Sequence, residues 1–331
     1  MRTIKGVAIA AVALAVALSA GTASAQTVMR LSHQWSTSDV RHKVAEVLAN
    51  HVEEADVGLE IQIYPSKSLF KPREQYKPVA RGQLDMSIYP LAYAGGLRPE
   101  YNLTLMPGLV KNHDHAQRLN DSEFIEEIKA IAKEDGVLFL LHGWLAGGFA
   151  SKDRCITSPD DVKGMQMRAA GKAFEQMLAG AGASITSMPS SEIYNAMQTG
   201  VLDGANTSSS SFVSFRIYEQ VQCYTPASDY ALWFMYHPLI LSEESWNKLT
   251  PEQQKAMQEG AAKAEAYFFE EAKKIDANSV EVYKKNGVEI ANMTQEEFDA
   301  WRNVAQQTSY KKFTDEVDGG QALLDKALAV D

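Results

Sequence analysis

The sequence predicts an α/β protein, and three observations carry that expectation. Strand-like runs alternate with amphipathic helical runs from Val28 to about Ser208. A continuous apolar run from Gly136 to Trp144 has the form of a central strand covered on both faces. A single helical stretch after Trp246 is too long for one small domain. The alternation implies mostly parallel sheets, and in open sheets ligands bind beyond the carboxyl ends of the strands.

Taken in order, "VMRLSH" is a strand, and "DVRHKVAEVLANHVEEA" places Val44, Val47, Leu48 and Val52 at helical spacing. "LEIQIYP" alternates with period two until Pro65 ends it. A helical "PREQYKPVARG" stops at Gly82, "LDMSIYP" is a strand, Gly95 and Gly96 mark a loop, and one helix runs from about Asp114 to Lys133. In the second half, Ser158, Pro159 and Asp161 open a short helix that stops at Gly164. "MQMRA", "ASITSMP" and "LDGANTS" then read as strands, separated by the helical "GKAFEQMLAGAG" and "SEIYNAMQTG". Thr250, Pro251 and Gln253 form a capping box for the long helix, which stops at Gly287 and at roughly 36 residues would span about 54 Å. Thr294 and Glu297 form a second box, opening the terminal helices. Internal repeats and low-complexity linkers are absent from the sequence.

Residues 1–25 have the form of a secretory leader: Arg2 and Lys5 precede an apolar run from Gly6 to Leu18, and Ala23-Ser24-Ala25 supplies the cleavage point. Gln26 stands where a lipoprotein would need cysteine, and no later stretch approaches the roughly 18 apolar residues of a membrane span. The expected compartment is the periplasm. The remaining chain has 30 basic and 42 acidic residues, a net charge of about −12, which argues against nucleic acid and anionic lipid as partners. Its length suits two domains. Cys155 and Cys223 are the only cysteines, and they are either one disulfide or two buried thiols.

Signatures of catalysis are missing: there is no G-x-S-x-G, H-E-x-x-H, P-loop, C-x-x-C or dinucleotide-binding glycine pattern. "HDH" at 113–115 reads better as a helix N-cap by His113 or Asp114 than as a metal cluster, and His42 reads as structural. The serines at 208–211 line a polar pocket or form a solvated loop, the loop being favoured. Arg168 is the sharper signal. It ends a strand where an apolar residue would be the cheaper choice, and a buried guanidinium needs a carboxylate from the protein or from a ligand.

The segments "RHKVAEVLANHVEEA", "LEIQIYPSKSL", "EQYKPVARGQLDMSI", "SPDDVKGMQMRAAG", "MPSSEIYNAMQTGVLDGANTS" and "SEESWNKLTPEQQKAM" occur in an order that resembles the DctP family. These are the extracytoplasmic solute-binding proteins of tripartite ATP-independent periplasmic (TRAP) transporters. The resemblance implies a type II periplasmic binding fold, with two α/β lobes joined by crossover strands and the helix from Thr250 bridging both. It places lobe I at 26–149 plus about 230–272, and lobe II at about 150–229 plus 273–331. It implies a carrier that captures a small organic acid between the lobes and delivers it to small and large integral membrane subunits, with no catalysis, cofactor or metal. The family's arginine at the position of Arg168 pairs with the substrate carboxylate. By position, the other candidates are His33, Gln34 and Trp35, Tyr89, Pro90 and Tyr93, Trp144 and Phe149, Ser190, Asn206 and Thr207, and Tyr230 and Trp233. Where many relatives read "DGxEN", this chain reads "DGANT", and it lacks the second arginine some carry near Phe149. The first departure puts the family's asparagine–substrate contact in doubt at Asn206 and Thr207, and the missing arginine, with the tryptophans and tyrosines, favours a monocarboxylate with an apolar or aromatic body, or a sugar acid, over sialic acid or a dicarboxylate. The alternative function is a periplasmic sensor that presents its closed form to a receptor kinase.

Overall fold

A computed structural model describes residues 26–228 and 230–331, so the expected leader and its cleavage point lie outside the described residues. The strands in chain order are β1 (Thr27–Ser32), β2 (Leu59–Tyr64), β3 (Met86–Ile88), β4 (Val137–Leu141), β5 (Trp144–Ser151) and β6 (Gln166–Ala169), followed by β7 (Ser184–Ser187), β8 (Gly204–Ser208), β9 (Cys223–Thr225), β10 (Trp233–Tyr236), β11 (Leu239–Ser242) and β12 (Glu289–Ile290). They form two sheets. The first has the order β2-β1-β3-β11-β4, and the second β12-β9-β5-β8-β6-β7 with β10 also paired to β5.

The expectation of mostly parallel sheets is corrected to mixed ones. Pairs β1–β2, β1–β3, β6–β7, β6–β8 and β9–β12 are parallel, while β5 and β11 run antiparallel to every strand they touch. The reason is the path of the chain. It passes from β4 to β5 through His142–Gly143 and back from β10 to β11 through His237–Pro238 with no intervening helix, so the arriving strands oppose those laid down by helical crossovers. The two passages touch, because the His237 N–H donates to the Gly143 carbonyl at 2.7 Å.

The apolar run read as one central strand is also corrected. It is divided between β4, an edge strand whose middle residues are half-buried, and the start of β5 in the other sheet. Its hydrophobicity comes from the helix Glu123–Glu134 and the long helix, which both pack on β4. The helix expected over 114–133 is two, His113–Leu119 and Glu123–Glu134, because Ser122 caps the second. Asn112, one residue before the expected position, caps the first through the His115 N–H.

The long helix runs Pro251–Lys285 behind the capping box of Thr250 and Gln253. Its first half packs Met257, Ala261 and Ala264 against Leu48 and Val52 beside the first sheet. Near its end, Tyr283 lies against Phe212 and Tyr224 in the second. The helix therefore spans both sheets. The helix Gln295–Ala305 covers the second sheet, and the last one, Gly320–Leu328, returns to the first-sheet side, where Lys326 pairs with Glu127. Cys155 and Cys223 form a disulfide with Cα atoms 5.1 Å apart, which settles the two readings of those cysteines.

Candidate ligand-binding site

Arg168 lies near the carboxyl end of β6 and is 1% exposed. Its Nε donates to the Met188 carbonyl at 3.0 Å, one Nη to the Asn206 carbonyl at 2.5 Å and the other to the Tyr93 hydroxyl at 3.0 Å. A guanidinium has five N–H groups, so two remain. No carboxylate among the described residues pairs with it, and burial pushes its pKa down. The charge has hydrogen bonds but no counter-ion.

Tyr93 comes from the other side of the cleft, on the 3₁₀ turn Leu91–Ala94 that follows β3. Its oxygen accepts from Arg168 and from the Ser190 N–H at 3.1 Å. Burial pushes the phenol up, but the Arg168 charge, the Ser190 N–H and Arg73 outweigh it, and the pKa is lowered. With both lone pairs engaged, the hydroxyl proton is left to donate.

The loop after β1 is set by histidines. His33 Nδ1 accepts the Trp35 N–H at 3.2 Å, which leaves Nε2 to donate to His42 Nδ1 at 3.0 Å, and His42 Nε2 meets Glu46 at 3.1 Å. Burial and the neighbouring His42 lower the His33 pKa to about 3. Trp35 is fully buried between His33 and the Arg41 guanidinium, whose carbon lies 3.9 Å from the ring centroid. Arg41 itself is paired: Nε and Nη2 donate to the two oxygens of Asp39 at 2.7 and 2.8 Å.

These groups meet in a cavity of about 10 Å³ lined by Gln34, Trp35, Arg41, Pro90, Tyr93, Arg168, Ser190, Thr207, Ser208, Ser211, Trp233, Met235 and His237. Such a volume accommodates about one water, so anything larger enters only if the walls part. Several polar atoms here are buried without a hydrogen-bond partner: both side-chain polar atoms of Gln34 and the indole nitrogens of Trp35 and Trp233. Buried polar groups are seldom left so, and here they gather around a guanidinium that has no carboxylate partner.

Eight residues expected from the sequence therefore line one cavity: Gln34, Trp35, Pro90, Tyr93, Arg168, Ser190, Thr207 and Trp233. Asn206 contributes its carbonyl to Arg168, while its unpartnered amide lies on the same face of the sheet as its cross-strand partner Phe149. Five others do not line the cavity. His33 is turned into the histidine relay, and Tyr89 packs edge-on to Tyr93 with its hydroxyl on the Arg73 carbonyl. Phe149 stacks on Trp301. Trp144 faces a cavity of about 380 Å³ behind the passage, bonded to Asn120. Tyr230 borders one of about 470 Å³ with Phe298 and Arg302. His33 and Tyr89 follow strands, and Trp144, Phe149 and Tyr230 are near a crossover in sequence, but the pleat or the turn aims each one away.

Arg41, Ser208, Ser211, Met235 and His237 were not expected there. The serine run is buried and forms the cap and start of the helix Ser209–Ser214, which corrects the solvated-loop reading. A run of small hydroxyl residues directly after a strand was the available signal. His113 pairs with Asp276 on the long helix and takes no part.

Residues 31–316 match the DctP family, described as bacterial extracellular solute-binding protein, family 7. A solute-binding protein of Albidiferax ferrireducens is 36% identical, with 91% of each chain covered. The crystal structure of a TRAP periplasmic solute-binding protein from Rhodoferax ferrireducens with bound malonate is 35% identical with a TM-score of 0.87, covering 90% of this chain and 96% of that one. A TRAP periplasmic solute-binding protein from Sulfurospirillum deleyianum with bound succinate is 25% identical with a TM-score of 0.84, covering 93% and 100%.

Proposed function

The chain belongs to the DctP family of extracellular solute-binding proteins, and from that premise we propose that it captures a small organic acid with the carboxylate on Arg168 and delivers it to TRAP membrane subunits. Arg168 carries the reading, because it is a buried guanidinium with two N–H groups to spare and no carboxylate of the protein paired with it. A planar guanidinium gives two parallel bonds to a carboxylate and so fixes orientation as well as charge. The unpartnered nitrogens of Trp35 and Trp233 and the amide of Gln34 are the groups left for the rest of the ligand. The family is extracytoplasmic, and we place the cleavage of the leader after Ala25. No helix among the described residues is long and apolar enough to cross a membrane.

In this proposal the lobes are built one on each sheet and open about the passages at His142–Gly143 and His237–Pro238. Ligand contacts from both sides favour the closed arrangement by their differential affinity. The role is capture and release without turnover.

The test is the mass of the compound released when the purified protein is denatured, followed by calorimetric titration of that compound into ligand-free wild type and Arg168→Ala. A carboxylate binding at about 1:1, with affinity lost in the variant, is the expected result. Unchanged affinity in Arg168→Ala would return that arginine to a structural role.

A further inference from the structure

We propose that Asp39 determines which acids the cleft accepts, by neutralising Arg41, a second guanidinium on the wall of the same cavity, so that the cavity lining carries one uncompensated guanidinium, Arg168, and selects monoanions, Arg73 standing behind Tyr93 outside that lining. The inference rests on the reading that the cleft binds a carboxylate on Arg168.

Arg41 and Arg168 both line the cavity, and both are 1% exposed. Their partners differ. Arg168 is held by two carbonyls and a phenol, all neutral acceptors. Arg41 is held by Asp39, which caps the helix Val40–Glu54 through the Arg41 N–H at 3.0 Å and meets the guanidinium edge with both oxygens. Left without Asp39, the cleft would present two cations and would fit a dianion.

The remaining valences of Asp39 are filled from across the cleft. Ser210 and Ser214, on the short helix that follows β8, donate to one of its oxygens at 2.8 and 2.7 Å. Ser211 accepts from Arg41 at 2.9 Å. On Arg41, Nη1 meets His237 Nε2 at 3.3 Å, while His237 Nδ1 faces the Met235 carbonyl, so the imidazole is neutral and adds no charge. Asp39 thus has no acceptor left for a ligand and acts only through Arg41. The Asp39–Arg41 pair lies two residues apart at one helix start, so Arg41 is neutralised independently of the serines that meet Asp39 from the other segment.

The test compares butyrate and succinate, which share a four-carbon skeleton and differ by one carboxylate, titrated into wild type, Asp39→Asn, Asp39→Asn/Arg41→Met and Arg168→Met, each shown folded by circular dichroism. Wild type is expected to bind butyrate more tightly than succinate. Asp39→Asn frees the Arg41 charge and moves the ratio of the two dissociation constants at least tenfold toward succinate, and the double variant returns it to the butyrate side. An Asp39→Asn ratio within threefold of wild type, or wild type already preferring succinate, overturns the proposal. Arg168→Met separates this from failure of the carboxylate reading itself. If the acids bind and Arg168→Met leaves both affinities unchanged, or if neither acid binds any of the proteins, the carboxylate reading falls and this one with it.

Discussion

Arg168 and Tyr93 meet across the cleft, guanidinium to phenol oxygen at 3.0 Å, and they are supplied by different sheets. Under the lobe closure we propose, the residue that holds the ligand is also one that joins the two sides of the cleft. Replacing Arg168 by Ala is expected to cost about 2–5 kcal/mol of carboxylate affinity, as for loss of one partner in a buried charge pair. Replacing Tyr93 by Phe removes one acceptor from Arg168 and one from the Ser190 N–H, and about a tenfold loss of affinity is expected. Calorimetry on both variants with the released ligand checks the pair, and equal losses for the two would contradict their distinct roles.

Gly147 is packed so that an added Cβ would stand 2.0 Å from the Thr207 carbonyl and 2.7 Å from the Trp233 ring. Both neighbours belong to the cavity wall. Gly147→Ala is expected to destabilise the protein by about 1–3 kcal/mol, the usual cost of overpacking, and to weaken ligand binding as well. Chemical denaturation shows the first effect, and a wild-type midpoint would show that the strands shift freely.

The disulfide closes a loop of 68 residues between the end of β5 and β9. Constraint of the unfolded chain by a loop of that size corresponds to about 4 kcal/mol. Cys155→Ser/Cys223→Ser is expected to lower the denaturation midpoint accordingly, with ligand affinity retained because the bond is remote from Arg168. A midpoint within error of wild type would mean that the bond contributes nothing to stability.

Acid sensitivity follows from His33. An exposed histidine titrates near 6.5, whereas burial and His42 hold this one near 3. Between those values unfolding takes up a proton, so the full contribution to stability is present above pH 6.5 and declines as the pH falls toward 3. At pH 5 the loss from this residue is about 2 kcal/mol. Denaturation midpoints at pH 7.5 and 5.0 should show it, and His33→Gln should have the shallower pH dependence despite lower stability at pH 7.5. Identical slopes would refute the assignment.

Local chemistry was the legible part of this chain. The capping boxes at Thr250 and Thr294 show where their helices begin, and Arg168 at a strand end announces a buried charge from four residues of context. What could not be read depends on contacts far apart in sequence. Asp39 looks like an ordinary N-cap until Ser210, 171 positions away, donates to it, and Arg41 looks solvated until Ser211 and His237 enclose it. The apolar run ending at Trp144 gives no sign that it is cut between two sheets, because burial by the other sheet and burial by a helix leave the same composition. Trp144, Phe149 and Tyr230 stand near the crossovers in sequence, and sequence distance does not tell which way a pleated strand aims its side chains.

The hydrogen bond from the His237 N–H to the Gly143 carbonyl joins the two chain passages side by side, and this shapes how the cleft can move. The strands these passages connect are themselves paired, β5 with β10 and β4 with β11, so the two passages behave as one ribbon, with the long helix as a third tether running behind. Such a linkage permits a swing and resists sliding. Because His237 also stands on the cavity wall and contacts Arg41, one end of the ligand chamber sits on the ribbon itself. In the opening we propose, the cleft would turn like a book on its spine, the mouth near Arg168 and Tyr93 travelling far while Trp35 and Arg41, close to the binding, hardly shift. An incoming acid would find those two already in place, and departure would be governed at the page edges.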